Sequence, residues 1–109
     1  MSEWKIILSP KFKIEFNNIR DYIANNLLAP DAAASICVQI FDKIESLKQL
    51  PKRCPLVDKD PWLTRGLRKL IVDNYIVFYY PNDKTKEILI FHIFYKGRNI
   101  DELLPKDIP

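Results

Sequence analysis

The stretch LRKLIVDNYIVFYY, at residues 67–80, decides how this chain folds. Its two halves are rich in the β-branched and aromatic residues that favour strands, and the polar pair Asp73-Asn74 between them is typical of a tight hairpin turn. A further apolar run, EILIFHIFY at residues 87–95, follows a turn-forming Pro-Asn-Asp-Lys segment. The pattern predicts a three-stranded antiparallel meander over residues 66–95.

Two amphipathic helices are predicted upstream of this meander. Ser9 and Pro10 suit the cap and the first position of a helix over residues 10–27. Residues 31–50 form a second helical pattern, which Pro51 closes. Each pattern places its apolar residues on one stripe: Phe12, Phe16, Ile19, Ile23 and Leu27 in the first, and Ala33, Cys37, Ile40, Ile44 and Leu47 in the second.

The remaining segments complete an α+β fold. The run WKIIL at residues 4–8 predicts a first strand, and the three prolines within residues 51–61 predict an irregular loop. Asn99 is a suitable cap for a last helical turn through Leu104. The order β-α-α-β-β-β therefore describes a single domain over residues 1–109, in which a helical hairpin packs on one face of an antiparallel sheet.

Composition excludes several classes of function. The two isolated glycines form no phosphate-binding loop, and one histidine with two distant cysteines forms no metal site, so we expect neither cofactor nor metal. The start Met1–Lys5 lacks the segments of a signal peptide, and no apolar run approaches the length of a membrane span. We therefore expect a cytoplasmic protein with no membrane partner.

Positive charge is concentrated in the predicted sheet. Although the net charge is only +3, residues 65–98 carry seven Lys and Arg against three Asp and Glu. A basic sheet face suits a phosphate-bearing ligand or an acidic protein partner, and an effect on solubility alone explains the excess nearly as well.

The candidate chemical groups form one cationic set around this sheet. If they converge, guanidinium and ammonium groups hold an RNA phosphate and stabilise the negative charge of the transition state. The 2′-hydroxyl of RNA is itself the nucleophile, so the protein needs to supply only a base, an acid and a cation. The set comprises Arg65, Arg68 and Lys69 near the first meander strand, and His92, Tyr95, Lys96 and Arg98 at the end of the last.

Structural roles compete with these chemical ones. His92 alternates with apolar residues, so a packed and hydrogen-bonded core histidine is as good an interpretation as a catalytic one. For Tyr95 we favour core packing with the hydroxyl at the rim, and Lys96 serves equally well as a solvated turn residue. Arg68 shares the face of the apolar strand residues and needs a partner or a rim position. Arg98 follows a glycine at a strand end, where we favour function.

The sequence as a whole resembles the RelE/ParE family of bacterial toxins. The resemblance is carried by GLRKLIVDNYIVFY at residues 66–79 and IFHIFYKGRN at residues 90–99. Upstream, LSP at residues 8–10, DYIA at 21–24 and PDAA at 30–33 resemble the opening strand and helical hairpin of the family.

The resemblance implies a toxin of a type II toxin-antitoxin system, with a cognate antitoxin as its partner in a hetero-oligomer. RelE-like members cut messenger RNA in the ribosomal A site, whereas ParE-like members poison DNA gyrase, and both use this fold. In the ribonucleases, basic residues of the first meander strand and an arginine near the end of the last strand serve the scissile phosphate. Arg68, Lys69 and Arg98 match those regions, with Arg65 and Lys96 as further RNA contacts.

Two positions depart from the ribonuclease pattern. Ile76 stands where some members have an arginine, and residues 100–109 contain no tyrosine or histidine to stack on a base or transfer a proton. His92 or Tyr95 would have to supply that function. The basic sheet nevertheless favours a ribosome-dependent messenger-RNA endoribonuclease. Gyrase inhibition is the close alternative, and a degenerate, non-toxic corepressor that only binds antitoxin is a third.

Overall fold

The computed structural model describes residues 3–108. Among them, no helix combines the length and the apolar character that a bilayer crossing requires. A five-residue π-helical turn, Tyr22–Asn26, follows the first helix. The other elements are β1 (Lys5–Leu8), α1 (Pro10–Asp21), α2 (Pro30–Ser46), α3 (Trp62–Arg65), β2 (Arg68–Val72), β3 (Tyr75–Asn82), β4 (Glu87–Tyr95) and α4 (Ile100–Leu103).

Four strands form one sheet in the order β1-β4-β3-β2. β2, β3 and β4 make the antiparallel meander that the sequence predicts, and the α+β class is confirmed. β1 pairs with β4 in parallel, from Lys5 opposite Glu87 to Leu8 opposite Ile90, so the sheet is mixed rather than antiparallel throughout. The chain leaves β1 at Ser9, whose hydroxyl caps α1 by accepting the Phe12 N–H at 3.0 Å, as predicted.

The helices cover one face of the sheet and bury most of the predicted stripes. Leu27 was wrongly placed on the first stripe, because its side chain is 56% exposed. The π-helical turn has more residues per turn than an α-helix, so it shifts the phase of the side chains that follow it. The core on this face joins Phe12, Phe16, Ile36, Ile40, Ile44 and Leu47 of the helical segments to Leu70, Val72, Val77, Tyr79, Ile88, Ile90 and Ile93 of the sheet.

Two element ends differ from the prediction. α2 ends at Ser46 instead of residue 50, because the N–H groups of residues 47–49 bond three residues back rather than four. β3 continues through Pro81, which pairs with Ile88, so the turn that was predicted from Pro81 occupies residues 83–86.

The opposite face of the sheet is also covered, which the sequence did not predict. Trp62, on the four-residue helix α3, is fully buried, and its indole N–H donates to the Pro105 carbonyl at 2.9 Å. α4 begins after Asn99, whose side chain accepts the Asp101 N–H at 3.0 Å as predicted. The second core cluster consists of Val57, Trp62, Leu67, Phe78 and Leu104.

Candidate functional site

The strand register places the predicted cations at different ends of the sheet. Arg68 pairs with Tyr79, which pairs with Ile90, and Ile90 precedes Tyr95 by five residues. Phe91 is an extra residue in β4, and along β3 the row of Tyr79 lies four residues from Tyr75, the partner of Tyr95. At about 3.3 Å per residue, the row of Arg68 therefore lies about 13 Å from the end of β4. Because Arg98 lies beyond that end, the structure does not bring Arg68 and Arg98 together.

Arg68 is occupied by the loop that follows α2. Its Nη1 donates to the carbonyl of Lys52 at 3.1 Å and to that of Cys54 at 2.7 Å. Next to it, the Tyr79 hydroxyl donates to the Pro51 carbonyl at 2.7 Å, and burial raises the pKa of Tyr79 above its usual range. The expectation that Arg68 needs a partner is therefore met by the loop carbonyls, which these two side chains hold against the sheet.

His92 is buried and hydrogen-bonded. β1 ends opposite Ile90, so the next residues of β4 have no strand on that side, and Glu15 of α1 fills the gap. Its Oε2 lies 2.8 Å from Nδ1 of His92, and its Oε1 accepts the Ile93 N–H at 2.9 Å. A carboxylate can only accept, so Nδ1 carries the proton that it donates to Glu15. This environment is the one expected of the core-histidine alternative.

Tyr95 does not pack in the core, contrary to our expectation, because its side chain is 54% exposed. Phe78 pairs with His92 and Tyr79 with Ile90, which leaves Phe91 as an extra residue in β4. This β-bulge interrupts the alternation of faces, so Tyr95 is no longer on the face predicted from the residues before it.

The other predicted residues are scattered. Lys69 is half-buried and lies in the same cross-strand row as Phe78 and His92, away from Arg98. Arg65, the last residue of α3, donates through Nη1 to the Lys106 carbonyl. Lys96 is exposed, and its backbone N–H donates to the Asn74 carbonyl at 2.6 Å.

A groove opens where the helical hairpin diverges from the end of the sheet, and we call it the tyrosine groove. Its volume is about 770 Å³. Tyr75 and Tyr95 form its sheet side, with their rings edge to face at 5.7 Å. Arg98 is the cation among its lining residues. The full lining is Asn18, Ile19, Tyr22, Ile23, Leu27, Ala32, Ile36, Asp73, Asn74, Tyr75, Tyr95 and Arg98.

The tyrosine groove is mainly apolar, and its polar groups include tyrosine hydroxyls, the Arg98 guanidinium and the Asp73 carboxylate. Burial raises the pKa of Tyr75, and the nearby Tyr95, Asp73 and Tyr22 raise it further, so its hydroxyl stays neutral at physiological pH. Tyr22 and Leu27 are 54% and 56% exposed, which leaves apolar surface available for a partner. Such a groove suits a protein segment with apolar side chains and a carboxylate that reaches Arg98.

Comparison with known proteins identifies the family. The sequence matches, over residues 6–100, the family described as ParE toxin of type II toxin-antitoxin system, parDE. The chain belongs to the ParE toxin family. Among solved structures, it is similar to the chromosomal ParDE toxin-antitoxin system from P. aeruginosa, with a TM-score of 0.71 and 18% identity over 89% of this chain and 100% of that one.

A second solved structure, the RelBE2 toxin-antitoxin complex from Mycobacterium tuberculosis, is similar with a TM-score of 0.59 and 12% identity, over 85% of this chain and 98% of that one. No curated protein sequence matches the chain. The family match confirms a type II toxin of the RelE/ParE kind. At these identities, the two structures establish the fold that this ParE-family toxin shares with them.

This ParE-family toxin does not present the basic sheet face that its sequence predicts. Of the seven cations within residues 65–98, only Arg68 and Lys69 belong to strands. The others lie in turns and segments beyond the strand ends, because both faces of the sheet are needed for apolar packing. The tyrosine groove was missed because its walls come from segments far apart in the sequence. The sequence signal that pointed toward it was Arg98 after Gly97.

Proposed function

We propose that this ParE-family toxin inhibits DNA gyrase by binding to it, and that a cognate antitoxin blocks the toxin by occupying the tyrosine groove. The observation that carries the first part is the separation of the candidate catalytic groups. Cleavage of RNA without a metal requires a base, an acid and a cation around one phosphate. Inhibition by binding requires only a complementary surface.

Tyr95 and Arg98 lie together in the tyrosine groove, but the other candidate catalytic groups do not join them. Arg68 lies about 13 Å from the strand end that precedes Arg98, by the rise of a β-strand. His92 is buried, and its Nδ1 proton is engaged by Glu15. Ribosome-dependent RNA cleavage, which the basic sequence favoured, is therefore left with Tyr95 and Arg98 without Arg68 or His92. The match to the ParE family favours the gyrase alternative.

The tyrosine groove is the site that we assign to the antitoxin. Its mixture of aromatic walls and one guanidinium suits an amphipathic helix that continues into an extended arm. Because the Arg68 guanidinium already serves two loop carbonyls, an acidic antitoxin residue pairs with Arg98 rather than with Arg68. The two solved structures described above are toxin-antitoxin assemblies by their descriptions, which supports a bound antitoxin here.

Expression without antitoxin tests the proposed target in cells. The toxin is induced in bacteria that lack the neighbouring antitoxin gene, and incorporation of labelled thymidine and labelled amino acids is followed over time. Loss of thymidine incorporation before loss of amino-acid incorporation is the expected result. The reverse order would favour the ribonuclease. Normal growth with a folded toxin would favour the non-toxic corepressor.

Co-purification tests the proposed partner. When the toxin is expressed together with the small gene next to it, the two proteins should purify as one hetero-oligomer. Tyr22→Glu, which places a charge in the tyrosine groove, should release the neighbour protein, whereas Lys13→Glu on the outer side of α1 should retain it. Retention by both variants would exclude the tyrosine groove as the antitoxin site.

A further inference from the structure

A second cleft lies at the opposite end of the sheet from the tyrosine groove, and we call it the basic cleft. It forms between the start of β1, the segment that follows α2, and the turn between β3 and β4. Its volume is about 480 Å³. The residues that line it are Trp4, Leu50, Pro51, Lys52, Arg53 and Asp83.

Positive charge exceeds negative charge in the basic cleft. Lys52 is ion-paired with Asp83, with 2.5 Å between Nζ and Oδ2. Lys86 also lies beside the cleft, because its ammonium is over the ring of Trp4, which lines it. The pKa of Asp83 is lowered first by the Lys52 hydrogen bond and then by the charges of Lys52 and Lys86. Three cations, Lys52, Arg53 and Lys86, therefore line or adjoin a cleft whose lining contains one carboxylate, Asp83.

Arg53 and Lys86 have uncharged partners. The Arg53 guanidinium donates to the Ser46 carbonyl at 3.0 Å and to its hydroxyl at 2.8 Å. The Lys86 ammonium lies 4.9 Å from the ring centroid of Trp4. Within residues 3–108, neither cation forms an ion pair with a carboxylate. Their charges therefore remain available to an anionic ligand.

Local backbone structure fixes these groups in place. The carbonyl of Lys86 accepts the Lys5 N–H at 2.9 Å, which joins the β3–β4 turn to the start of β1 and so to Trp4. The Arg53 contacts with Ser46 tie the other wall of the cleft to the end of α2. Less side-chain freedom is then lost when a ligand binds.

We infer that the basic cleft binds a single-stranded segment of a polynucleotide. Lys86, which lies over the Trp4 ring, and Arg53 contact backbone phosphates. A base packs against the apolar wall formed by the exposed Leu50 and by Pro51, beside the Trp4 indole that lines the same cleft. An acidic peptide would satisfy the two cations but would leave this wall without a planar partner. A polynucleotide supplies phosphates for the two cations and a planar base for the apolar wall. The site is separate from the tyrosine groove, so the toxin can hold nucleic acid at one end and a protein at the other.

Fluorescence measurements on the full chain test this site. A labelled oligothymidylate of about 12 nucleotides, and the oligouridylate of the same length, are titrated at about 50 mM salt, where anisotropy reports binding. We expect a dissociation constant on the order of 10⁻⁵ M that rises steeply with salt. Trp62 is fully buried, so quenching of tryptophan emission on binding should come from Trp4 and disappear in Trp4→Leu.

Charge-removing variants locate the site. We expect weaker binding by the single variant Lys86→Gln and by the double variant Lys86→Gln/Arg53→Gln, with a loss of about tenfold or more in the double variant. In each, the slope of log affinity against log salt should become shallower by about 0.7 per lost phosphate contact. Lys13→Gln, an exposed lysine of α1, is the matched control and should bind as the parent does. Circular dichroism verifies that each variant is folded, and the single Lys86→Gln variant leaves the Arg53 contacts with Ser46 intact.

Several results would overturn the inference. These are absence of binding at low salt, competition by polyglutamate as effective as that by oligonucleotide, and loss of binding in Arg98→Ala but not in Lys86→Gln. Tighter binding of the thymidylate probe or of the uridylate probe would support the site and would identify its ligand as DNA or as RNA, respectively. Because the assay contains neither gyrase nor ribosomes, its outcome is independent of the proposed function.

Discussion

Replacement of Glu15 by alanine should destabilise this toxin more than any surface charge removal. The Glu15 carboxylate is the sole acceptor, among the hydrogen bonds of residues 3–108, for both His92 Nδ1–H and the Ile93 N–H, at 2.8 Å and 2.9 Å. The His92 side chain is only 6% exposed and that of Glu15 22% exposed, so water replaces the lost acceptor poorly. The variant would leave two donors at the unpaired side of β4 without a partner.

The expected loss follows from these two bonds. A hydrogen bond to a charged group contributes about 1.5–3 kcal/mol, and an unsatisfied buried donor costs a similar amount. With part of the cost recovered by water near the half-buried Glu15, we expect a decrease of about 3 kcal/mol in the free energy of unfolding. For a domain of this size, that decrease lowers Tm by about 12 °C.

Equilibrium unfolding in guanidinium chloride measures this decrease, with the slope against denaturant checked for constancy. Glu45→Ala is the matched control, because Glu45 forms an exposed ion pair with Lys48 and its loss should cost less than about 0.5 kcal/mol. Equal stability of Glu15→Ala and Glu45→Ala would refute the role of Glu15 as the hydrogen-bond acceptor for the end of β4.

Three further predictions concern single side chains. Arg98→Ala should weaken antitoxin binding about tenfold, measured by calorimetry, because the acidic antitoxin residue loses its partner, and unchanged affinity would contradict the assignment of the tyrosine groove. His92→Gln should cost about 1–2 kcal/mol of stability and leave growth arrest intact, and arrest lost from a stable variant would instead support a catalytic His92. Burial raises the pKa of Tyr79 in the folded chain, so the unfolded chain releases this proton first as pH rises. Stability contributed by the neutral phenol is therefore present below pH about 10 and declines above it, and denaturation in alkali should show a smaller decline in Tyr79→Phe.

Local signals in the sequence predicted the elements well. The alternation around Asp73-Asn74 identifies the meander, and the caps Ser9 and Asn99 act at the helix starts where they were expected. Features that break a regular period were not predictable. The extra residue Phe91 and the π-helical turn each change the direction of the side chains that follow them. No feature of the amino-acid composition predicts either one. This is why Tyr95 and Leu27 were misplaced.

The site was less predictable than the fold because it depends on long-range contacts. Identifying Arg68 and Arg98 as functional candidates required only their residue type, but their separation depends on the strand register. The tyrosine groove joins Tyr22 to Tyr75 and Tyr95 across the divergence of helices and sheet, which no local pattern describes. Similarly, the burial of Trp62 on the second face depends on its contact with the C-terminal segment.

We propose that this toxin acts by binding gyrase rather than by cutting RNA. The most direct measurement adds the purified, antitoxin-free protein to a gyrase supercoiling reaction and, in parallel, to a purified translation reaction read by primer extension. We expect inhibited supercoiling, relieved by added antitoxin, with messenger RNA intact. Cleaved messenger RNA together with unaffected supercoiling would contradict the proposal.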